Sequence, residues 1–317
     1  MSTNSIPVVD LSRFTAGDDR SKHQFVEELG RAFEDVGFVS VKNHGVSQEL
    51  VDSYYTAVKN FFSLPTDVKR KYEVPGLAGQ RGYTSFGKEQ AKGFDTPDLK
   101  EFWQMGQTVE DGDPIRNEYP DNVSVKDIAG FDEQGRELYK AFEKCGIELL
   151  RAIGIHLGIG EFYFDKYVHN GNSILRAIHY PPITQEPKNA IRAEQHEDIN
   201  LITLLVGASA EGLQLLSKEE QWLDIIAPEG CFVVNVGDML QRLTNNRLKS
   251  TTHRVVNPPR EKWGNARFSI PFFTHPKGTM PLDCLASCID TRHPLAYEPI
   301  TAGDYLDERL REIGLKK

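Results

Sequence analysis

Two histidines and an aspartate carry the strongest chemical signal in the chain. His196 and Asp198 flank Glu197, and the run Ile199-Asn200-Leu201-Ile202-Thr203-Leu204-Leu205-Val206 follows at once. In a strand, residues i and i+2 point to one face. His196 and Asp198 are therefore expected to reach one ion while Glu197 points away. The pair is weak alone, because this composition gives roughly 0.6 His-x-Asp pairs by chance. What strengthens it comes from further along the chain.

His253, in Thr251-Thr252-His253-Arg254-Val255, is a third candidate ligand, several strands after Asp198. Two His and one carboxylate on one face of an ion form the arrangement used for non-haem Fe(II), with three positions left open. Fourteen residues beyond His253 come Arg267-Phe268-Ser269. Arg offers a planar fork that binds a carboxylate bidentately, and Ser adds a hydroxyl donor. By the period-2 rule Arg267, Ser269, Pro271 and Phe273 share one face, and Phe268, Ile270 and Phe272 the other. Both faces carry apolar residues, so this strand is expected to be buried on both sides. A buried Arg needs an anion, from the protein or from a ligand. Tyr180, just before Pro181-Pro182, ends another strand, and its hydroxyl is placed to help hold the same anion.

The elements that must position these residues change character along the chain. Ile6–Leu11 reads as a short strand. Ser21–Val36 is an amphipathic helix with Phe25, Leu29, Ala32, Phe33 and Val36 at helical spacing. Gly37 follows where a left-handed cap is expected, and Phe38–Val41 is a strand. Ser47 caps a helix to about Phe62, and Pro65 opens a short one. Pro75 to Gly93 is Gly-rich loop, expected to sit over a site. Phe131 to about Leu157 reads as a long helix. After Asn172 short strands dominate: Ile174–Tyr180, Leu201–Val206, Leu213–Leu216, Trp222–Ile226, Phe232–Val236, Thr251–Val256 and Arg267–Phe273. Turn-rich pieces such as Gly237-Asp238 separate them, which suggests a sandwich or jelly roll. Ala302–Ile313 is one more amphipathic helix. Helices first and strands later make the chain α+β.

Bulk properties narrow the partners. The net charge of −9 gives no general attraction for phosphate backbones or anionic membranes. No nucleic acid or membrane partner is therefore expected, and no protein partner is implied. No stretch approaches the ~18 apolar residues of a membrane span, and the N-terminus lacks the pattern of a signal peptide. The four Cys form no CxxC pair and read as reduced thiols. A cytoplasmic protein acting on a small molecule is the simplest expectation.

These motifs, in order, resemble the isopenicillin N synthase-like group of Fe(II)/2-oxoglutarate-dependent oxygenases. The resemblance covers nearly the whole chain. It starts at Ile6–Leu11 and Gly37–Val46 and runs through Phe61–Pro65 and Arg81-Gly82-Tyr83. It is closest in His179-Tyr180-Pro181-Pro182, His196–Thr203, His253-Arg254-Val255 and Arg267–Phe273. It implies a double-stranded β-helix (jelly-roll) core flanked by helices. Residues 1–125 would form the family's N-terminal region, 126–280 the catalytic core with its long helix, and 281–317 a C-terminal helical segment.

The resemblance further implies iron on His196, Asp198 and His253, with 2-oxoglutarate held by Arg267 and Ser269 and helped by Tyr180. It implies a dioxygenase that consumes O2 and 2-oxoglutarate, releases succinate and CO2, and oxidises a C–H bond of its substrate, with hydroxylation the expected outcome. No further acid or base need be named. Tyr83, Phe86 and Arg176 are the substrate-binding candidates; Arg81 and Arg192 also suit an acidic group. One departure is that many plant members carry Asn two residues before the Tyr equivalent to Tyr180, whereas this chain has Ile178.

Other readings stay open at this stage. An Arg-x-Ser pair also meets the substrate's own carboxylate in isopenicillin N synthase, an Fe(II) oxidase that uses O2 without 2-oxoglutarate. Two His and a carboxylate also suit a zinc hydrolase, although Glu197, its natural base, should face the other way. A binding protein on a retained fold would require a broken triad, and the triad is complete.

Overall fold

In the computed structural model of the chain, the described residues are 6–77, 79–90, 96–206 and 211–312. Part of the Pro75–Gly93 loop, and Ile313, lie outside them. Twelve strands occur among the described residues: β1 (Val8–Asp10), β2 (Phe38–Lys42), β3 (Gly82–Thr84), β4 (Glu101–Gly106), β5 (Ile174–Tyr180), β6 (Ala193–His196), β7 (Ile202–Val206), β8 (Leu213–Leu216), β9 (Trp222–Asp224), β10 (Phe232–Val236), β11 (His253–Val255) and β12 (Arg267–Thr274). They form an eight-stranded sheet, β1-β2-β10-β7-β12-β5-β4-β3, and a four-stranded sheet, β6-β11-β8-β9. β1 and β2 run parallel, and β12 is antiparallel to both its neighbours, β5 and β7. The architecture is the expected α+β jelly roll with helices outside.

The large sheet separates helices from chamber, and strand periodicity does the sorting. On β12 the back-face residue Phe272 is fully buried. It stacks on Phe142 of the Phe131–His156 helix, with ring centroids 5.6 Å apart. That helix buries Leu138, Phe142, Cys145, Leu149 and Ala152, the stripe its sequence spacing predicts. The opposite face of β12 presents Arg267, Ser269, Pro271 and Phe273 to a cavity between the two sheets. Capping chemistry fixes the earlier helices. Asp18 accepts from Ser21 N ahead of the Asp19–Asp35 helix, and Ser47 accepts from Leu50 N ahead of the Gln48–Phe62 helix. Gly37 has φ +74°, the left-handed conformation its position after the first helix requires.

Three expectations are corrected. The Pro75–Gly93 stretch contains β3, paired with β4 through Tyr83↔Trp103. β4 itself escapes sequence reading, because Glu101 and Gln104 break the apolar pattern; both are buried in the fold. Gly237-Asp238 is more than a turn, since the Asp238–Leu243 helix starts there. The His196/Asp198 pair does not share one strand. β6 ends at His196, and Asp198 lies in the connection to β7. The two side chains still converge, for reasons given next.

Candidate metal and co-substrate site

The smaller sheet brings the two histidines together. His253 on β11 is the cross-strand partner of His196 on β6, and their ring centroids lie 4.4 Å apart. Asp198 Oδ1 is 3.9 Å from His196 Nε2 and 3.8 Å from His253 Nε2. One potential ligand atom from each residue lies within 4.8 Å of the others. The imidazoles are oriented from behind. His196 Nδ1–H donates to the carbonyl of Glu194 at 2.7 Å, and His253 Nδ1–H to that of Thr251 at 3.1 Å. That leaves both Nε2 lone pairs facing the shared point, the usual arrangement of histidine ligands. The His196 side chain remains 37% exposed while His253 and Asp198 are buried, so the trio opens on one side.

Asp198 is held as firmly. Its Oδ2 accepts from Thr203 Oγ1 at 2.6 Å and Asn235 Nδ2 at 2.8 Å. Asn200 Nδ2 in turn donates to Thr203 Oγ1 at 2.8 Å. Burial opposes the Asp198 charge, but His253, His196 and these hydrogen bonds outweigh it and hold the pKa low. Burial and the adjacent His253 push the His196 pKa down against the pull of Asp198, which favours the neutral, metal-binding imidazole. A fixed carboxylate and two oriented imidazoles with one open side suit a divalent iron. Glu197 accepts a hydrogen bond from Thr252 Oγ1 and stays outside the trio. Sequence reasoning missed Thr203 and Asn235. Each is a lone polar residue inside an apolar strand, and that was the available signal.

Arg267, 1% exposed, sits across the cavity from the trio. Its NH1 donates to Ser269 Oγ at 3.3 Å, and its guanidinium lies 5.0 Å from the Tyr180 ring centroid. Strand register explains the cluster: Arg267 pairs with Tyr180 and Ser269 with Ile178. Arg192, 2% exposed, approaches the same Tyr180 ring at 5.9 Å and donates to Asn265 O. The cavity holds about 400 Å³, room for a small keto acid and a small substrate together.

The other candidates divide. Arg176 lines the cavity, with its guanidinium 4.2 Å from the Phe102 ring centroid. Tyr83 does not line it: the residue is 3% exposed, and its hydroxyl donates to Glu101. Phe86 is 49% exposed and also lies outside the cavity lining. Arg81 is buried against Gly106, away from the trio. Leu306, Arg309 and Leu310 of the Ala302–Glu312 helix close one side of the chamber.

Known proteins share this build. Residues 6–127 match the family model described as non-haem dioxygenase in morphine synthesis N-terminal, and residues 171–276 match the 2OG-Fe(II) oxygenase superfamily. The 2-oxoglutarate-Fe(II) type oxidoreductase hxnY of Emericella nidulans is 30% identical, covering 96% of this chain and 89% of its own length. The crystal structure of a 2OG-Fe(II) oxygenase family protein from Caulobacter crescentus is 42% identical, with a TM-score of 0.87 over 97% of this chain and 99% of that one. A full-length Neurospora crassa protein, solved in complex with alpha-KG and thymine, is 31% identical with a TM-score of 0.85, covering 96% of each chain. The chain belongs to the 2-oxoglutarate- and Fe(II)-dependent oxygenase family.

Proposed function

We propose that this 2-oxoglutarate-dependent dioxygenase hydroxylates a small uncharged molecule, holding iron through His196, Asp198 and His253 and 2-oxoglutarate through Arg267, Ser269 and Tyr180. The carrying observation is the buried Arg267–Ser269–Tyr180 cluster facing the His/Asp/His trio across one cavity. Bound iron and 2-oxoglutarate supply the oxidising chemistry, with succinate and CO2 released. The chain does the rest. Arg267 and Ser269 bind the distal carboxylate and set the length of the keto acid against the trio. Asn235 and Thr203 keep Asp198 turned inward. Apolar wall residues such as Leu205 and Val233 exclude water.

Arg176 is the substrate-side residue in this reading, and the thymine complex of the Neurospora crassa protein supports a small planar polar substrate as the first candidate to try. The division into residues 1–125, 126–280 and 281–317, and a cytoplasmic setting, belong to the same proposal. The latter is supported by four free cysteines, and no described helix is long and apolar enough to cross a membrane. The test is anaerobic titration with Fe(II) and 2-oxoglutarate, watching for the metal-to-ligand charge-transfer band, then aeration with thymine while succinate and oxygen uptake are measured. A band and substrate-stimulated succinate are expected. Oxygen uptake that proceeds without 2-oxoglutarate would instead identify an oxidase.

A further inference from the structure

Four charged side chains that the iron and 2-oxoglutarate sites do not use line the chamber beside His196. Lys100 is buried, and its Nζ lies 2.7 Å from Asp98 Oδ2 and 2.7 Å from Glu89 Oε1. Glu89 also takes Arg176 NH1 at 3.2 Å, and Arg176 Nε donates to Gln104 Oε1 at 2.7 Å. On β5, Arg176 shares the cavity face with Tyr180 but stands four residues away, about 13 Å along the strand. The quartet thus runs along β4 and β5, from Lys100 beside the Tyr180 end to Arg176, which stands beyond the keto-acid anchor.

Its formal charge is zero, two cations against two carboxylates. Glu89 is the pivot, since it alone touches both cations. Burial acts against its charge, but Arg176 and Lys100 hold its pKa at about 2. With Arg267 assigned to 2-oxoglutarate, the remaining cation of the lining among the described residues, Arg309, is matched by Glu312 at 2.8 Å. Lys100, Arg176 and Arg309 thus each face a carboxylate of the chain already. A substrate carboxylate would have to break the Glu89 bridges in a buried site, leaving Glu89 uncompensated. Among the described lining residues three polar atoms have no hydrogen-bond partner: Asn172 Oδ1, His275 Nδ1 and Arg309 Nε. The amide oxygen accepts, the guanidinium nitrogen donates and the imidazole nitrogen can do either, which suits a ligand carrying both N–H donors and carbonyl acceptors.

We propose that Glu89 determines substrate charge: by bridging Lys100 and Arg176 it makes the substrate end of the chamber selective for uncharged hydrogen-bonding molecules and closed to carboxylic acids. This rests on the oxygenase reading above and deepens it.

The experiment measures binding to the anaerobic Fe(II)/2-oxoglutarate complex by calorimetry, using two matched pairs: thymine with uracil-6-carboxylate, and benzamide with benzoate. Wild type is expected to favour the neutral member at least 10-fold. Glu89→Gln leaves one unmatched cation, and the preference should reverse. Glu89→Gln combined with Arg176→Met removes that cation and leaves Lys100 paired with Asp98, and the neutral preference should return. A purely structural Glu89 would not be rescued by losing a second charge. Equal or tighter binding of the acids by wild type, no binding of either neutral probe, or an unchanged ratio in Glu89→Gln would overturn the proposal. Failure of the oxygenase reading shows separately, as the absence of a 2-oxoglutarate-dependent absorption band before any probe is added.

Discussion

Asn235 Nδ2 donates to Asp198 Oδ2 at 2.8 Å, across two adjoining structures that sequence does not connect: the middle of β10 and the turn after β6. With Thr203 on the same oxygen, the carboxylate is locked so that only Oδ1 faces the two imidazoles. Removing a partner that orients a metal ligand commonly costs about 10–100-fold in metal affinity. Asn235→Ala should therefore bind Fe(II) more weakly by that factor, read by anaerobic titration. The charge-transfer band should recover at saturating iron. An affinity equal to wild type would mean Asp198 is oriented by Thr203 alone.

Arg267 should act on the other half of the site. Truncating one partner of a buried, hydrogen-bonded charge pair costs about 2–5 kcal/mol, so Arg267→Gln should raise the 2-oxoglutarate Kd by at least about 30-fold. Fe(II) binding should be unchanged. Arg267→Lys should recover only part of the loss, because an ammonium cannot reproduce the fork. Titration of the charge-transfer band with 2-oxoglutarate at fixed Fe(II) gives both numbers.

The contrast between these sites and the quartet around Glu89 shows what a sequence can carry. The period of two in Arg267–Phe273 sorts Arg267 and Ser269 onto one face and Phe268, Ile270 and Phe272 onto the other, and the Ser47 cap states the start of its helix. His253 and His196 were legible as a metal pair because imidazoles are scarce and chemically distinctive. Glu89, Asp98, Lys100 and Gln104 were not legible. They look like ordinary solvated polar residues until β4, hidden by Glu101 and Gln104, folds beside β5 and draws them into the chamber wall. Tyr83 misled for the opposite reason. Its place in a Gly-rich loop suggested a substrate contact, but β3 pairing turns its hydroxyl into the Lys69–Glu101 network.

Acid should weaken the fold partly through His275. Burial pushes its pKa down to about 4 despite the pull of Asp198. The folded protein therefore keeps this ring neutral while the unfolded chain takes up a proton near pH 6.5. Its contribution is unchanged above pH 6.5 and is progressively lost as pH falls to about 4, by up to about 3 kcal/mol. His275→Phe should flatten that part of the stability curve. Melting temperatures from pH 7 to 4 for both proteins provide the check, and parallel curves would assign the acid sensitivity to other groups.

Gly237 ties packing to the metal site. The backbone that begins there holds the Asp198 segment in place: Gly237 N donates to Leu201 O at 2.9 Å, Asp238 N to Asp198 O at 2.8 Å and Met239 N to Asn200 O at 3.0 Å. A Cβ at Gly237 would collide with Asn200 Oδ1 and with its backbone carbonyl. Asn200 is fully buried and cannot withdraw without losing its bond to Thr203, the donor to Asp198. The φ of Gly237 is −104°, so the obstacle is space and not backbone conformation. Gly237→Ala should cost about 1–3 kcal/mol of stability, as overpacking does, and should weaken Fe(II) binding as well. Gly230→Ala serves as the comparison. Gly230 has φ +72° and nothing within 4 Å of a Cβ, so its backbone strain should lower stability and leave iron affinity alone. If both variants lower stability alone, the turn after β10 packs the fold without positioning Asp198.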